Sequence, residues 1–254
     1  MSPPPSTRNK LHLLEGGALD NIKLFAAIFM VIDHIHYYLL DRVGEVWMFY
    51  AGRGAFPLFC YALASAVIRS KREAPFSHVT KLLILAFSVE PISQLTRDVN
   101  CLNVIFTLAI GCAFAGIIER LKDWQIALAV FIATLSTMGP NMIEFGLLGV
   151  LLPSAMLLAI KGRRHAWPLL VFLLFTVNFS HLSKKLIEED VRNIVIAYTI
   201  IGIFTICVFF FTLRICADSK TKSERYLPKY ALHIFYPLHL ILLFIIQKLV
   251  APFS

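Results

Sequence analysis

The chain is a succession of apolar blocks separated by short polar connections, and that alternation restricts the fold more than any motif does. Most blocks have the length to cross the ~30 Å hydrocarbon layer of a bilayer as a helix, which takes about 20 predominantly apolar residues. In lipid a backbone finds no water for its N–H and C=O groups, so it must be helical or closed into a barrel. The short alternating segments of a barrel are absent. With 58% hydrophobic and 16% charged residues, and a mean hydropathy of +0.72, the chain departs from the roughly 25% charge of soluble domains. The expected fold is an all-α membrane protein, a polytopic transmembrane helix bundle.

Nine spans are predicted, at about 18–40, 46–68, 79–96, 102–119, 124–138, 144–160, 166–181, 192–214 and 229–250. The fifth and seventh are short, and one of them suits a re-entrant segment. When the connections are numbered alternately, one set collects sixteen of the twenty-four Lys and Arg, from Arg8 and Lys10 through Arg69, Lys161 and Arg214 to Lys229. The base-rich side is expected to be cytoplasmic, which puts the N-terminus inside and the C-terminus in the periplasm. The net charge of +8 then serves orientation rather than nucleic-acid binding. Residues 1–17 read as a disordered, Pro-rich cytoplasmic tail, and 18–254 as one transmembrane domain. The five Cys form no CxxC pair, so neither a disulfide framework nor a metal site is expected.

Ionisable groups inside hydrocarbon cost at least a few kcal/mol each and mark functional interiors by default. The first span carries Asp33 and His34 side by side, about six residues or roughly 9 Å below its outer edge. Arg53 on the second span, Glu90 on the third and Asn103 on the fourth fall at similar depth. They are expected to converge on one layer, with Asp33 and Arg53 as an ion pair. That pair is either part of a site centred on His34 or purely structural. An imidazole can accept a proton near neutral pH or carry an acyl group. Its carboxylate is either Asp33 or Glu90, since adjacent residues on a helix do not face the same way. Lys23 lies eleven residues before His34 on the same face, where it meets an anionic ligand or snorkels to the inner interface.

The last span holds His233, Tyr236 and His239, which contact a ligand or close hydrogen bonds between helices. Pro57 and Pro237 deprive the carbonyls of Arg53 and His233 of their usual donors. Asn141 and Glu144 suit an outer turn or a contact to an acceptor substrate. Asn178 and His181 suit span boundaries, and His36 the interface. No Walker loop, GxSxG elbow or HExxH is present. On these residues alone, an enzyme and a proton-coupled transporter stand level.

Several stretches resemble the TraX family, inner-membrane proteins of conjugative plasmids that N-acetylate pilin. They are Leu19-Asp-Asn-Ile-Lys23 with Met30-Val-Ile-Asp33-His34, Arg53-Gly-Ala-Phe-Pro57-Leu-Phe59, Leu102-Asn103 to Phe106-Thr107-Leu108, and His233-Ile-Phe-Tyr236-Pro237-Leu-His239-Leu240. The likeness runs from about 18 to 245 and is mainly one of hydropathy between about 120 and 225. The family is similar in turn, more distantly, to multi-pass acyltransferases with a histidine in an early span, whose usual Arg near the start of that span is Lys23 here. The resemblance implies a membrane-bound N-acetyltransferase of the bacterial inner membrane, with acetyl-CoA as donor and the pilin amine as acceptor. It implies a catalytic group around His34 drawn from Asp33, Arg53, Glu90, Asn103 and His239. For the coenzyme it implies Lys23, Arg69, Lys71, Arg72, Arg163 and Arg164 near the phosphates, with His233 and Tyr236 further along. A transporter and a non-catalytic pilus-assembly factor remain as alternatives.

Overall fold

The computed structural model describes residues 11–40, 46–70, 74–96, 101–119, 143–178, 191–218 and 224–250. The predicted fifth span lies outside them, as do Lys71, Arg72, Asn141 and His181. Among the described residues the regular structure is helical: α1 Gly16–Tyr38, α2 Val46–Gly52, α3 Ala55–Arg69, α4 Ala74–Thr96, α5 Val104–Ile118, α6 Gly146–Ile160, α7 Ala166–Thr176, α8 Val191–Asp218 and α9 Ala231–Val250. The other eight predicted spans fall on these helices, the second being divided between α2 and α3.

Among the described residues, three stretches are long and apolar enough to cross a membrane: Trp47–Arg69 across α2 and α3, Asn193–Asp218 in α8 and Ala231–Leu249 in α9. In α8 and α9 only 22% of the apolar window is buried, against 72% for α2–α3. The outer helices therefore turn large apolar side chains outward, among them Ile203, Phe211, Ile234 and Leu242. Such a surface suits lipid and would be a liability in water.

The centre of the bundle is the antiparallel pair α1 and α3. Around it α4, α5, α6, α7 and α8 pack neighbour on neighbour, and α9 fits between α1 and α4. In α6 every residue from Gly149 to Ile160 is buried, so this short helix is core rather than lipid-facing. Its packing is close at Gly111 of α5, where a Cβ would stand 3.0 Å from Pro153.

Residues 11–15, expected to belong to a disordered tail, are instead held against this core. Leu11 and Leu14 are buried. The Leu11 N–H donates to the Ala159 carbonyl at 3.2 Å, and the Leu14 N–H to the Tyr61 hydroxyl at 2.9 Å. That hydroxyl donates onward to the His12 carbonyl. Two leucines placed to cover α3 and α6 outweigh the polar composition of the preceding residues.

The second span is interrupted where the candidate site begins. At Arg53 and Gly54 the backbone turns on tighter bonds, Arg53 N–H to Tyr50 O and Gly54 N–H to Ala51 O, both 3.1 Å. Pro57 then occupies the first turn of α3, where its missing N–H costs little. The carbonyl it leaves open, that of Arg53, accepts instead from Nδ2 of Asn178 at 3.4 Å. Gly52 permits the close approach of α1: a Cβ there would lie 2.4 Å from Cβ and Oδ1 of Asp33. Gly52→Ala is therefore expected to destabilise the protein by about 1–3 kcal/mol. The measurement is thermal unfolding in detergent, and an unchanged midpoint would contradict this packing.

Candidate functional site

A cavity of about 580 Å³ runs along α1, lined from Gly16 to His34. That length corresponds to about 27 Å of helix rise. The volume lies in the ordinary range of ligand pockets, about 300–1,000 Å³. Its middle is apolar, walled by Met30, Phe59, Leu63, Leu82 and Leu85. Its two ends differ in chemistry. At one end the helix termini of α1, α3, α4 and α9 deliver Lys23, Arg69, His78, Lys81, Arg225 and Lys229. At the other lie Asp33, His34, Arg53 and Glu144.

The basic end is organised by Asp20, a fully buried carboxylate to which the sequence reading assigned no role. It takes Lys23 Nζ at 2.7 Å and accepts the backbone N–H groups of Tyr226 and Leu227 at 3.1 and 3.2 Å. Arg225 stands 3.8 Å away. Asp20 thus fixes the segment entering α9 against α1, and so sets the register in which α9 continues upward. Lys23 faces the cavity with its charge already partly compensated. His233, one turn into α9, also lines the cavity, and its buried Nδ1 has no hydrogen-bond partner among the described residues.

At the far end the acid and the imidazole of α1 go separate ways. Asp33 pairs with the guanidinium of Arg53. Arg53 is held in turn by its Nε on the Phe49 carbonyl at 3.3 Å and by the Phe49 ring, 4.7 Å from its Cζ. His34 pairs with His239 of α9, Nδ1 to Nε2, at 2.8 Å. The two rings are parallel within 5° with centroids 5.0 Å apart. For that N···N distance the spacing is close to the sum of the bond and two ring radii. The imidazoles therefore lie edge to edge in one plane, not face to face. His239 Nδ1 lies 3.1 Å from the Phe235 carbonyl. Tyr38 and Tyr236 close edge-on around the pair.

Several sequence expectations need correction at this depth. Glu90 and Asn103 do not join the group around His34. Asn103 caps α5 by accepting from the Ile105 N–H at 2.9 Å, and its Nδ2 donates to Glu90 at 2.7 Å and to the Ala86 carbonyl at 3.1 Å. Glu90 also accepts the Asn103 N–H, so the two residues join α4 to α5 away from the cavity. Arg163 and Arg164 are exposed in the turn between α6 and α7 and do not line the cavity. Their place is taken by Lys81, Arg225 and Lys229, which the sequence reading treated only as orienting charges. His239 stands behind His34 rather than in the cavity wall, whereas Tyr236 and His233 do line it. Asn178 and His36, read as boundary residues, are both buried. Asn178 joins Arg53 O to Thr205 Oγ1, the latter at 2.9 Å. Glu144 does reach the cavity, from a turn held by its N–H on Leu102 O at 3.1 Å and its carbonyl on Thr107.

The family model described as TraX protein matches residues 18–247, a range that contains both ends of the cavity and the helices between them. The chain belongs to the TraX family. Among its relatives, a "Protein TraX" of Escherichia coli is 28% identical over 174 residues, covering 66% of this chain and 68% of that one. A second "Protein TraX", from Escherichia coli strain K12, is 29% identical over 143 residues, 54% of each chain. No solved structure matches.

Breaking a buried ion pair by removing one partner costs about 3–5 kcal/mol, because a charge is left without compensation. Asp33 keeps 26% of its side chain exposed, which places Asp33→Asn at the lower end of that range. Arg53→Met is expected to cost a similar amount. The double variant Asp33→Asn/Arg53→Met should be less destabilised than the two losses summed, by at least about 1 kcal/mol. Thermal unfolding of all four proteins in lipid nanodiscs measures this, and strictly additive losses would show that the pair contributes no interaction.

Proposed function

We propose that this protein is an acetyl-CoA-dependent N-acetyltransferase of the bacterial inner membrane, acting on the amino terminus of conjugative pilin. The observation that carries the proposal is the cavity itself. It joins a mouth of Lys23, Arg69, Lys81, Arg225 and Lys229 to an imidazole roughly 16 Å further along α1. A ligand suited to it has an anionic head, a long and largely neutral arm, and its reactive group at the tip. Acyl-CoA thioesters have that shape, and their phosphates match a cluster of five bases. The Nδ1 of His233, without a partner among the described residues, offers a polar contact part-way along.

Acetyl-CoA would supply an activated carbonyl to which an amine can add. The chain's own groups provide the rest. His34 takes the proton that the attacking amine must lose, general-base work that contributes typically 10²–10⁴-fold. The imidazolium returns that proton to the departing thiolate. Arg53, which shares the cavity wall with His34, stabilises the oxyanion of the tetrahedral intermediate while Asp33 holds it in place. Glu144 at the same end suits the positively charged terminus of the acceptor, which gives one proton to solvent before the neutral amine attacks. The nine-span topology, with the basic mouth open to the cytoplasm and the C-terminus in the periplasm, accounts for both supplies. The coenzyme is cytoplasmic, and the pilin amine meets His34 from the other leaflet.

Two experiments test this. Mature pilin produced beside a His34→Ala protein that still inserts should lack the acetyl group's mass, and pilin that remains fully acetylated would overturn the role of His34. With inverted membrane vesicles, acetyl-CoA added outside should support acetylation. Lys81→Ala/Lys229→Ala should raise KM for acetyl-CoA by about tenfold or more, with little change in kcat, as expected for lost ground-state binding. Acetylation that proceeds only in right-side-out vesicles would reverse the topology.

A further inference from the structure

We infer that His239 is a positioning residue that fixes the tautomer of His34, leaving the lone pair of His34 on Nε2. The positioning role rests on the reading of His34 as the base; the tautomer is argued from the hydrogen-bond geometry. The chain of bonds begins at a group that can only accept. The Phe235 carbonyl has no proton to give, so the contact from His239 Nδ1 at 3.1 Å requires a hydrogen on that nitrogen. A neutral imidazole carries one N–H, so His239 Nε2 is then the acceptor. The 2.8 Å contact between His239 Nε2 and His34 Nδ1 therefore takes its proton from His34. In neutral His34 the lone pair is left on Nε2.

The in-plane arrangement supports the assignment. An imidazole lone pair and N–H both lie in the ring plane, and these rings share a plane to within 5°. Face-to-face rings at the same separation would make no such bond. His239 is itself kept from the reaction, because His34 lines the cavity and His239 does not. The ring of His239 is held by its own helix, by Phe235 at 5.1 Å and Tyr236 at 5.3 Å between ring centroids. A second imidazole suits this depth better than a carboxylate. The carboxylate within reach, Asp33, is committed to Arg53, and an additional charge would need its own compensation in hydrocarbon. A neutral imidazole orients its partner without adding one. When His34 takes the amine proton on Nε2, its Nδ1–H continues to donate to His239. The proton then leaves from Nε2 to the thiolate, and His34 returns to the same tautomer.

The test combines a spectroscopic readout with a rescue. Nitrogen-15 histidine spectra of the protein in nanodiscs at neutral pH report which ring nitrogen bears hydrogen. Subtracting the spectrum of His34→Gln isolates the His34 signals. In the wild type Nδ1 should be protonated and Nε2 bare. Gln at position 239 retains an acceptor oxygen near the position of Nε2, whereas Ala retains none. His239→Gln should keep the tautomer and acetylate within about tenfold of the wild-type rate. His239→Ala should shift His34 toward the Nε2–H form and lose on the order of 100-fold in rate, the scale of misplaced general-base catalysis. A wild-type His34 protonated on Nε2 would overturn the inference, and so would equal rates for the Ala and Gln variants beside a wild type that acetylates. The tautomer is read without any substrate. If it is as assigned and the wild type acetylates nothing, the proposed reaction fails while the positioning role of His239 stands.

Discussion

The structure depends on how charge is compensated where water is scarce. An isolated ion in hydrocarbon costs several kcal/mol, and three clusters among the described residues meet that cost in different ways. Asp20 gathers Lys23, two backbone N–H groups and the nearby Arg225. Asp33 and Arg53 neutralise each other across α1 and the α2–α3 break. His34 and His239 meet as two imidazoles that need carry no charge. Each of these clusters also joins separate helical segments, so the electrostatics and the tertiary arrangement form one constraint. Asp20 holds the segment entering α9 and His34 holds α9 itself, at positions of α1 separated by roughly 20 Å of helix rise. Fixing both sets the register of the last helix against the first.

The cavity results from the same compromises. Gly52 lets Asp33 and Arg53 meet, and the break at Arg53–Gly54 opens the backbone beside them. Pro57 removes a donor from the Arg53 carbonyl, and Asn178, just past the end of α7, replaces it. An uninterrupted second helix would satisfy its backbone more completely, but without the turn that presents Arg53 to Asp33. Phe145 adds a further local irregularity with a φ of 62°, in the left-handed region that a bulky residue rarely occupies. It stacks on Phe56 at 4.0 Å beside Glu144. These departures from regular helix lie at the end of the cavity that holds His34.

How much of this was legible in the sequence depended on the range of the interaction. Asp33, His34, Arg53, His233, Tyr236 and His239 stood out because each is polar within an apolar run, and all but His239 line the cavity. Glu90 and Asn103 met the same criterion and belong to a separate contact between α4 and α5. Depth along a helix follows from residue number at 1.5 Å per residue, but the direction a side chain faces within the bundle depends on its neighbours. The bases at the mouth illustrate the point. By sequence Lys81 and Lys229 are orienting charges, and nothing around them separates them from Arg163 and Arg164, which do not line the cavity. Asp20 could have been found by its spacing of three from Lys23. Asn178 offered no comparable local signal.

By itself the sequence determined the helical class, the segments that became helices, and the short set of polar residues expensive enough in hydrocarbon to require partners. Those are consequences of composition and periodicity, which act within one segment. Only the tertiary structure decided the partners. Asp33 serves Arg53 and not His34, the imidazole is oriented by a second imidazole more than two hundred residues away, and Glu90 closes a helix contact. The physical reason is that compensation in a low-dielectric interior acts at hydrogen-bond distance. At that range, helix register and crossing select one partner among several that the sequence left equivalent.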